Sequence, residues 1–342
     1  MADIPAVSSQ QAIVSDDGLI WLPYDLPLLK TDAARFTPLS DHAAILNAAF
    51  TPFVLDYSRI EQLHVINGCG VALGDAIVGL AALEQLSRQH PQLKITVYVS
   101  PHLPAHVREI YTLAGHFISV ESLPLPLARL AMTPAEVWID LADFMYRPAF
   151  NQLPMHDFFA SSLGLNPGQL DNVAKENHWL KAVPLPPLPA TLQPGYTLLC
   201  HQASTGLRSM PEPIREAWST QWLGTHTGQL AGFAPQNTPR WHDLSRWSAS
   251  LPHFMAAIAG ARRIVSVDSA AIHLAAGLGV SCTALFMGID PGLRVAGYPH
   301  CSAQQLDETG RLHGLHHARS GVDEAEADRC WQRWLAADTP CD

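Results

Sequence analysis

The spacing of apolar residues changes near residue 60. Before it, Gln11 to Val14 and Leu19 to Pro23 flank Asp16, Asp17 and Gly18, which predicts a hairpin. His42 to Ala49 predicts a short helix. This stretch reads as a small N-terminal extension over residues 1–60. From Leu63 the pattern becomes strand then helix. Leu63 to Ile66 is a short apolar strand and Gly68 to Gly74 a glycine-rich turn. Asp75 to Gln89 then carries Ile77, Leu80, Ala81, Leu83 and Leu86 at helical spacing. Lys94 to Ser100 predicts a second strand, Val107 to Ala114 a helix, and Glu136 to Leu141 a later strand.

Residues 181–195 then place proline at 184, 186, 187, 189 and 194. Proline fixes its own backbone and donates no hydrogen bond, so the stretch predicts a stiff extended linker. Beyond it the alternation restarts. Tyr196 to Cys200, Arg263 to Asp268 and Ser281 to Phe286 read as strands. Ile214 to Trp222, Ala270 to Leu278 and Glu324 to Ala337 read as helices. Strands alternating with helices predict an α/β chain with parallel sheets. The expected division is an extension at 1–60, one α/β domain at 61–183, a linker at 184–195 and a second α/β domain at 196–342.

Composition narrows the function classes. With 48% hydrophobic and 15% charged residues, the 342-residue chain can bury sizeable cores. Its 31 acidic and 21 basic side chains give a net charge of -10, which argues against nucleic acid as a partner. No basic start with an apolar run marks a signal peptide, and no apolar stretch is long enough to span a membrane. The six cysteines, Cys69, Cys200, Cys282, Cys301, Cys330 and Cys341, form no CxxC pair. That pattern suits reduced thiols and predicts a cytoplasmic protein.

Three segments carry candidate chemistry. The first is the turn with Gly68, Gly70, Gly74 and Asp75. It matches part of a dinucleotide fingerprint, but the next strand ends at Val99 and Ser100 without the acid that would hold a ribose. Asp75 at a helix start is held ionised by the helix dipole. It suits a general base and a helix cap equally well by spacing. The second segment is Asp268 to His273, directly after an apolar strand. Backbone N–H groups of Ser269, Ala270 and Ala271 at a helix start suit a phosphate. Ser269 and His273 are spaced to share one helix face. The third is the loop His201 to Pro211, where Ser204, Thr205 and Arg208 offer two hydroxyls and a fixed positive charge. Alone, it reads more readily as a solvated surface loop than as a phosphate site.

In this order the three segments resemble glycosyltransferase family 9, the bacterial heptosyltransferases. Ala72 to Asp75 is similar to that family's opening Ala-Leu-Gly-Asp block, and residues 268–276 to its Asp-Ser/Thr-Gly-x-x-His-Leu-x-Ala-Ala donor block. The likeness covers roughly residues 63–300. It implies a GT-B architecture: two Rossmann-like domains with a central cleft, here with the small N-terminal extension. It implies inverting transfer of a sugar, heptose from ADP-heptose, to a hydroxyl of lipopolysaccharide core or protein. Asp75 would be the catalytic base, with Gly70 and Gly74 shaping the acceptor-side turn. Ser204, Thr205, Arg208, Asp268, Ser269, Ala270, Ala271 and His273 would bind the donor. No cofactor is required. The implied partners are a nucleotide-sugar donor and a glycolipid or protein acceptor, which leaves peripheral association with the inner membrane open.

The sequence departs from the pattern in places. Arg208 stands where lysine is usual, Ala270 where glycine is usual, and residues 1–60 are additional. Such an added layer resembles the autotransporter heptosyltransferases, which carry an iron-binding cysteine cluster near the C-terminus. Here that region offers Cys301, His313, His316 and Cys330 without paired ligand spacing, which reads as a polar loop rather than a metal site. Two other readings stand beside the transferase. One is a nicotinamide-dependent oxidoreductase using the glycine turn. The other is a noncatalytic nucleotide-sugar-binding relative.

Overall fold

A computed structural model describes residues 10–28, 36–130 and 132–337 of the chain. Cys341 and residues 1–9 of the expected extension lie outside that range. The chain forms two compact units, residues 1–175 and 176–342.

The first unit contains two sheets. One is antiparallel, with β1 (Ile13–Ser15), β2 (Leu19–Trp21), β3 (Phe36–Pro38) and β8 (Leu125–Pro126) in the order β3-β1-β2-β8. The hairpin turns at Asp16 to Gly18, where Gly18 takes φ +76 and its N–H meets the Ser15 carbonyl at 2.8 Å. That left-handed position costs glycine nothing. The other sheet is parallel: β4 (Ile45–Leu46), β5 (Gln62–Ile66), β6 (Lys94–Val99), β7 (Ser119–Ser122) and β9 (Glu136–Asp140), in the order β4-β9-β5-β6-β7. The helices are α1 (Leu73–Gln89), α2 (Ala105–Leu113), α3 (Met155–Ser162) and α4 (Asn172–Lys175).

The N-terminal segment is part of this unit rather than an appendage. Side chains alternate across β5, β6 and β9, so Ile66, Tyr98 and Trp138 share one cluster with Ala12, Val14, Ile20, Leu22 and Leu39. His64 stacks on Trp138 with ring centroids 3.9 Å apart. Asp140, fully buried, accepts from the N–H of Ala12 at 2.8 Å and of Ala142 at 2.7 Å. The helix expected over His42 to Ala49 is absent. Ile45 and Leu46 instead pair with Trp138 and Ile139 at the sheet edge, and Asn47 donates to Asp140. Eight residues hold an isolated helix weakly, and strand pairing plus a buried carboxylate outweighs that propensity.

The second unit is one six-stranded parallel sheet: β10 (Thr197–Cys200), β11 (Leu230–Gly232), β12 (Trp241–Asp243), β13 (Arg263–Val267), β14 (Ser281–Phe286) and β15 (Cys301–Gln305). The order is β12-β11-β10-β13-β14-β15. This is the doubly wound order of a dinucleotide-binding sheet, reversing direction between β10 and β13. Its helices are α5 (Glu212–Thr225), α6 (Leu251–Ala259), α7 (Ala270–Leu278), α8 (Gly292–Val295) and α9 (Gly321–Ala337). Trp218, Trp222, Trp331 and Trp334 from α5 and α9 cluster with Leu199, Val265 and Leu285 of the sheet. The proline-rich stretch is not the division between units. It belongs to the second unit, where Leu192 is buried, Leu188 packs over Gly260, and the Gly195 N–H meets the Gly260 carbonyl at 2.8 Å. The division falls earlier, between Lys175 and Glu176.

Candidate active site

In the second unit the candidate residues gather at the carboxyl edge of the sheet, at its switch point. The loop 201–211 leaves β10 and folds on itself. Met210 donates its N–H to the His201 carbonyl at 2.8 Å, and the Ser209 hydroxyl donates to the Thr205 carbonyl at 2.8 Å. This directs Arg208 toward the end of β13. Its Nη1 meets Asp268 Oδ2 at 3.0 Å, its Nη2 the Ser204 hydroxyl at 2.5 Å, and its Nε the Thr205 hydroxyl at 3.3 Å. Asp268 is nearly buried, its N–H held by the Leu285 carbonyl of β14. A doubly wound sheet opens a crevice at such a switch point, where the loops of neighbouring strands part in opposite directions.

Helix α7 starts beside this cluster. Ser269 is its N-cap, accepting from the Ala271 N–H at 3.4 Å and touching the Ser266 hydroxyl at 3.2 Å. The Ser269 hydroxyl therefore belongs to the cap. His273, one turn on, is buried, and its Nδ1 lies 2.7 Å from the Tyr298 hydroxyl. Asn177 donates to that hydroxyl at 2.8 Å and to the His273 carbonyl at 3.3 Å. So Ser204, Thr205, Arg208 and Asp268 form one connected group. Ser269, Ala270 and Ala271 form the adjoining helix start, and His273 anchors α7 from within.

The structure adds residues to this edge that motif spacing does not reveal. Gly288, just past β14, packs so tightly under the carbonyls of Leu312 and Leu315 that a Cβ would lie 2.6 Å from each. The backbone of the 312–315 turn is thereby pinned at the end of the strand beside Asp268. His316 follows it, with its pKa lowered by burial first and then by the charges of Arg294 and Arg208. Arg294, on α8, is buried. A positive field made of Arg208 and Arg294 suits an anionic ligand, and it favours the neutral form of His316 beside them.

In the first unit, Asp75 is the third residue of α1 and half-buried, while Ala72 is the N-cap. The carboxylate is thus in the dipole-stabilised first turn without serving as the cap. The turn before it is held by Tyr111, whose hydroxyl accepts from the Cys69 N–H at 2.8 Å and donates to the Gly70 carbonyl at 3.0 Å. Gly70 takes φ +90, and a Cβ there would lie 2.6 Å from the Phe144 ring. Gly74 sits within the first turn of α1. This sheet also reverses direction, between β5 and β9, and Asp75 follows β5 there. Asp143 follows β9 with φ 51, and burial, then neighbouring Asp140, raises its pKa to about 7. The place at the end of β6 where a ribose acid would stand is filled. Ser100 is buried there and donates to buried Asp25 at 2.7 Å.

No family model matches the sequence, and no curated protein matches it. Solved structures do. E. coli ADP-heptose lipopolysaccharide heptosyltransferase II is 14% identical, with a TM-score of 0.51 over 80% of this chain and 99% of that one. The chain has the GT-B glycosyltransferase fold. E. coli heptosyltransferase WaaC, solved with ADP, is 16% identical with a TM-score of 0.48, covering 71% of this chain and 93% of that one. A family 9 glycosyltransferase of Veillonella parvula is 15% identical with a TM-score of 0.46, covering 83% of this chain and 99% of that one.

Among the described residues, Cys301, His313, His316 and Cys330 do not converge on one point. The ligand-bearing side chains that do converge are Asp307, Glu326 and Cys330, within 4.8 Å of one another. They do not suit a cation. Glu326 already meets Arg329 at 2.5 Å, Arg311 at 3.4 Å and Arg333 at 3.7 Å. Asp307 accepts from Leu312 N–H and the Thr309 hydroxyl, each at 2.7 Å. Among the described residues, no helix is long and apolar enough to cross a membrane.

Proposed function

We propose that the protein is an inverting glycosyltransferase that binds a nucleoside-diphosphate sugar in its second unit and transfers the sugar to an acceptor hydroxyl. The observation that carries this reading is the Arg208–Asp268 pair at the switch point of a doubly wound sheet, with Ser204 and Thr205 on the same guanidinium. A planar guanidinium with donors on several edges matches the oxygens of a diphosphate. Asp268 and the two hydroxyls hold it in place before the ligand arrives, which lowers the cost of ordering it. The capped start of α7 adds N–H groups to the same edge.

Asp75 acts as the general base. It removes the acceptor proton as the oxygen attacks the anomeric carbon from the face opposite the diphosphate. The departing diphosphate gains charge as the bond to carbon breaks, and Arg208 meets that charge. E. coli ADP-heptose lipopolysaccharide heptosyltransferase II shares the fold. That likeness makes ADP-heptose the first donor to try, with glycolipid and protein hydroxyls as acceptors. The chemistry assigned to Arg208 and Asp75 calls for no cofactor.

Calorimetric titration with ADP, GDP, UDP, dTDP and NADP tests the reading. Selective binding of one nucleoside diphosphate, weakened at least tenfold by Arg208→Ala, is the supporting outcome (about 1.4 kcal/mol). Binding of NADP alone, or of nothing, overturns it.

A further inference from the structure

A second candidate site lies at the opposite, amino edge of the second unit's sheet. Cys282 of β14 and Cys301 of β15 are register partners on adjacent parallel strands. Directly paired residues on neighbouring strands stand about 4.8 Å apart, inside the Cα window of about 4.4–6.8 Å that a disulfide spans. Paired side chains on parallel strands project to the same face, so the two thiols are neighbours. Both line a cavity of about 340 Å³, together with Arg263, Ser281, Thr283 and His300. Cys282 is buried and Cys301 is half-exposed. Arg263 Nε is buried without a hydrogen-bond partner, so a positive charge stands at the cavity wall with spare donor capacity.

We infer that Cys282 and Cys301 form a peroxide-reactive dithiol, in which Cys301 is the attacking sulfur and Cys282 the resolving one. The exposed member is the one a small oxidant reaches through the cavity. The buried member is shielded from oxidant yet touches the first sulfur. A hydrogen bond from the Cys282 thiol favours thiolate at Cys301, whose pKa is lowered by it, while that of Cys282 is raised. The described cysteines outside the pair, Cys69, Cys200 and Cys330, are buried, and burial raises each of their pKa values. An accessible thiolate beside a second thiol is the arrangement that oxidises reversibly.

The Cys301 thiolate attacks one oxygen of hydrogen peroxide, the O–O bond breaks, and the leaving hydroxide takes a proton to become water. The sulfenic acid on Cys301 is then attacked by the Cys282 sulfur as its proton leaves. The S–S bond forms, the S–O bond breaks, and a second water departs. Two thiols lose two electrons, and one peroxide becomes two waters.

Full-length native protein treated with hydrogen peroxide, then denatured in N-ethylmaleimide and mapped by peptide mass spectrometry, tests this. The expected product is a Cys282–Cys301 disulfide as the major oxidised species, with the other cysteines alkylated. Cys282→Ser should accumulate a dimedone-trappable sulfenic acid at Cys301. Cys301→Ser should slow oxidation of Cys282 about tenfold or more. Oxidation first at any other cysteine, or both thiols alkylated at their untreated level after peroxide, overturns the inference. The mapping of wild-type protein decides the matter even where a serine variant folds poorly.

Discussion

Arg208 and Asp268 lie 60 residues apart in the chain and meet at 3.0 Å. Strand pairing brings them together. Thr197 to Cys200 run parallel to Arg263 to Ser266, so the loops leaving both strands start side by side. The sheet reverses its winding between these two strands, and the two loops part to either side. The guanidinium spans that parting, with a nearly buried carboxylate on one edge and the hydroxyls of Ser204 and Thr205 on the others.

Arg208→Lys should weaken nucleoside-diphosphate binding about tenfold, although the charge is kept. A lysine ammonium is a single point with no planar fork, so it cannot hold Asp268, both hydroxyls and a ligand oxygen in the same geometry. Calorimetry on wild type and variant reads this directly. Equal affinity would mean that charge alone, not the fork, matters here.

Asp75→Asn should lower turnover by about 10²–10⁴-fold, the usual worth of a positioned general base. Donor affinity should stay unchanged, because the residues proposed to bind the donor lie in the other unit. Asparagine keeps the shape and the place in the first turn of α1 while losing the basic oxygen. Turnover within threefold of wild type would remove Asp75 from the mechanism.

Much of this site was legible in the sequence because its parts are local. A strand, a turn and a helix start place Asp75 and Asp268 within a few residues of an apolar run, and periodicity finds those runs. What joins them is not local. The Arg208–Asp268 pair depends on strand order, and the position of Gly288 under the 312–315 turn depends on backbone packing. No spacing rule encodes either. His273 shows the converse. Helical spacing places it near the ligand edge, yet its ring is fixed by Tyr298 from a distant segment. Proline density was also a poor guide to the boundary, because a stiff extended segment can lie flat on a unit as readily as it can link two.

Gly70→Ala should destabilise the protein by about 2 kcal/mol or more, since it combines a left-handed backbone with overpacking. Its φ is +90, and the new Cβ would fall 2.6 Å from Phe144. Gly224→Ala is the control. That glycine lies in α5 with nothing within 4 Å of an added Cβ, so helix propensity should stabilise by about 0.5–1 kcal/mol. Denaturant melts of the two variants should move in opposite directions.

Asp143 and His201 should contribute to stability with opposite dependence on pH. Asp143 has a folded pKa of about 7 against 3.8 for the free side chain, raised by burial and then by Asp140. Between those values the folded state binds more protons than the unfolded state, so this group's contribution to stability falls as pH rises from about 4 to 7. Asp143→Asn removes that loss, and the gain in Tm over wild type should be larger at pH 8 than at pH 5. His201 has a folded pKa of about 4 against 6.5, lowered by burial and then by Arg215. Here the unfolded state binds more protons, so stability falls as pH drops from about 6.5 to 4. His201→Gln should therefore lose its disadvantage on acidification and melt closer to, or above, wild type at pH 4.5. Each kcal/mol corresponds to about 2–4 °C in a unit of this size, so thermal melts of wild type and the two single variants resolve both signs. A variant whose difference from wild type does not change with pH would show that its carboxyl or imidazole titrates alike in the folded and unfolded chain.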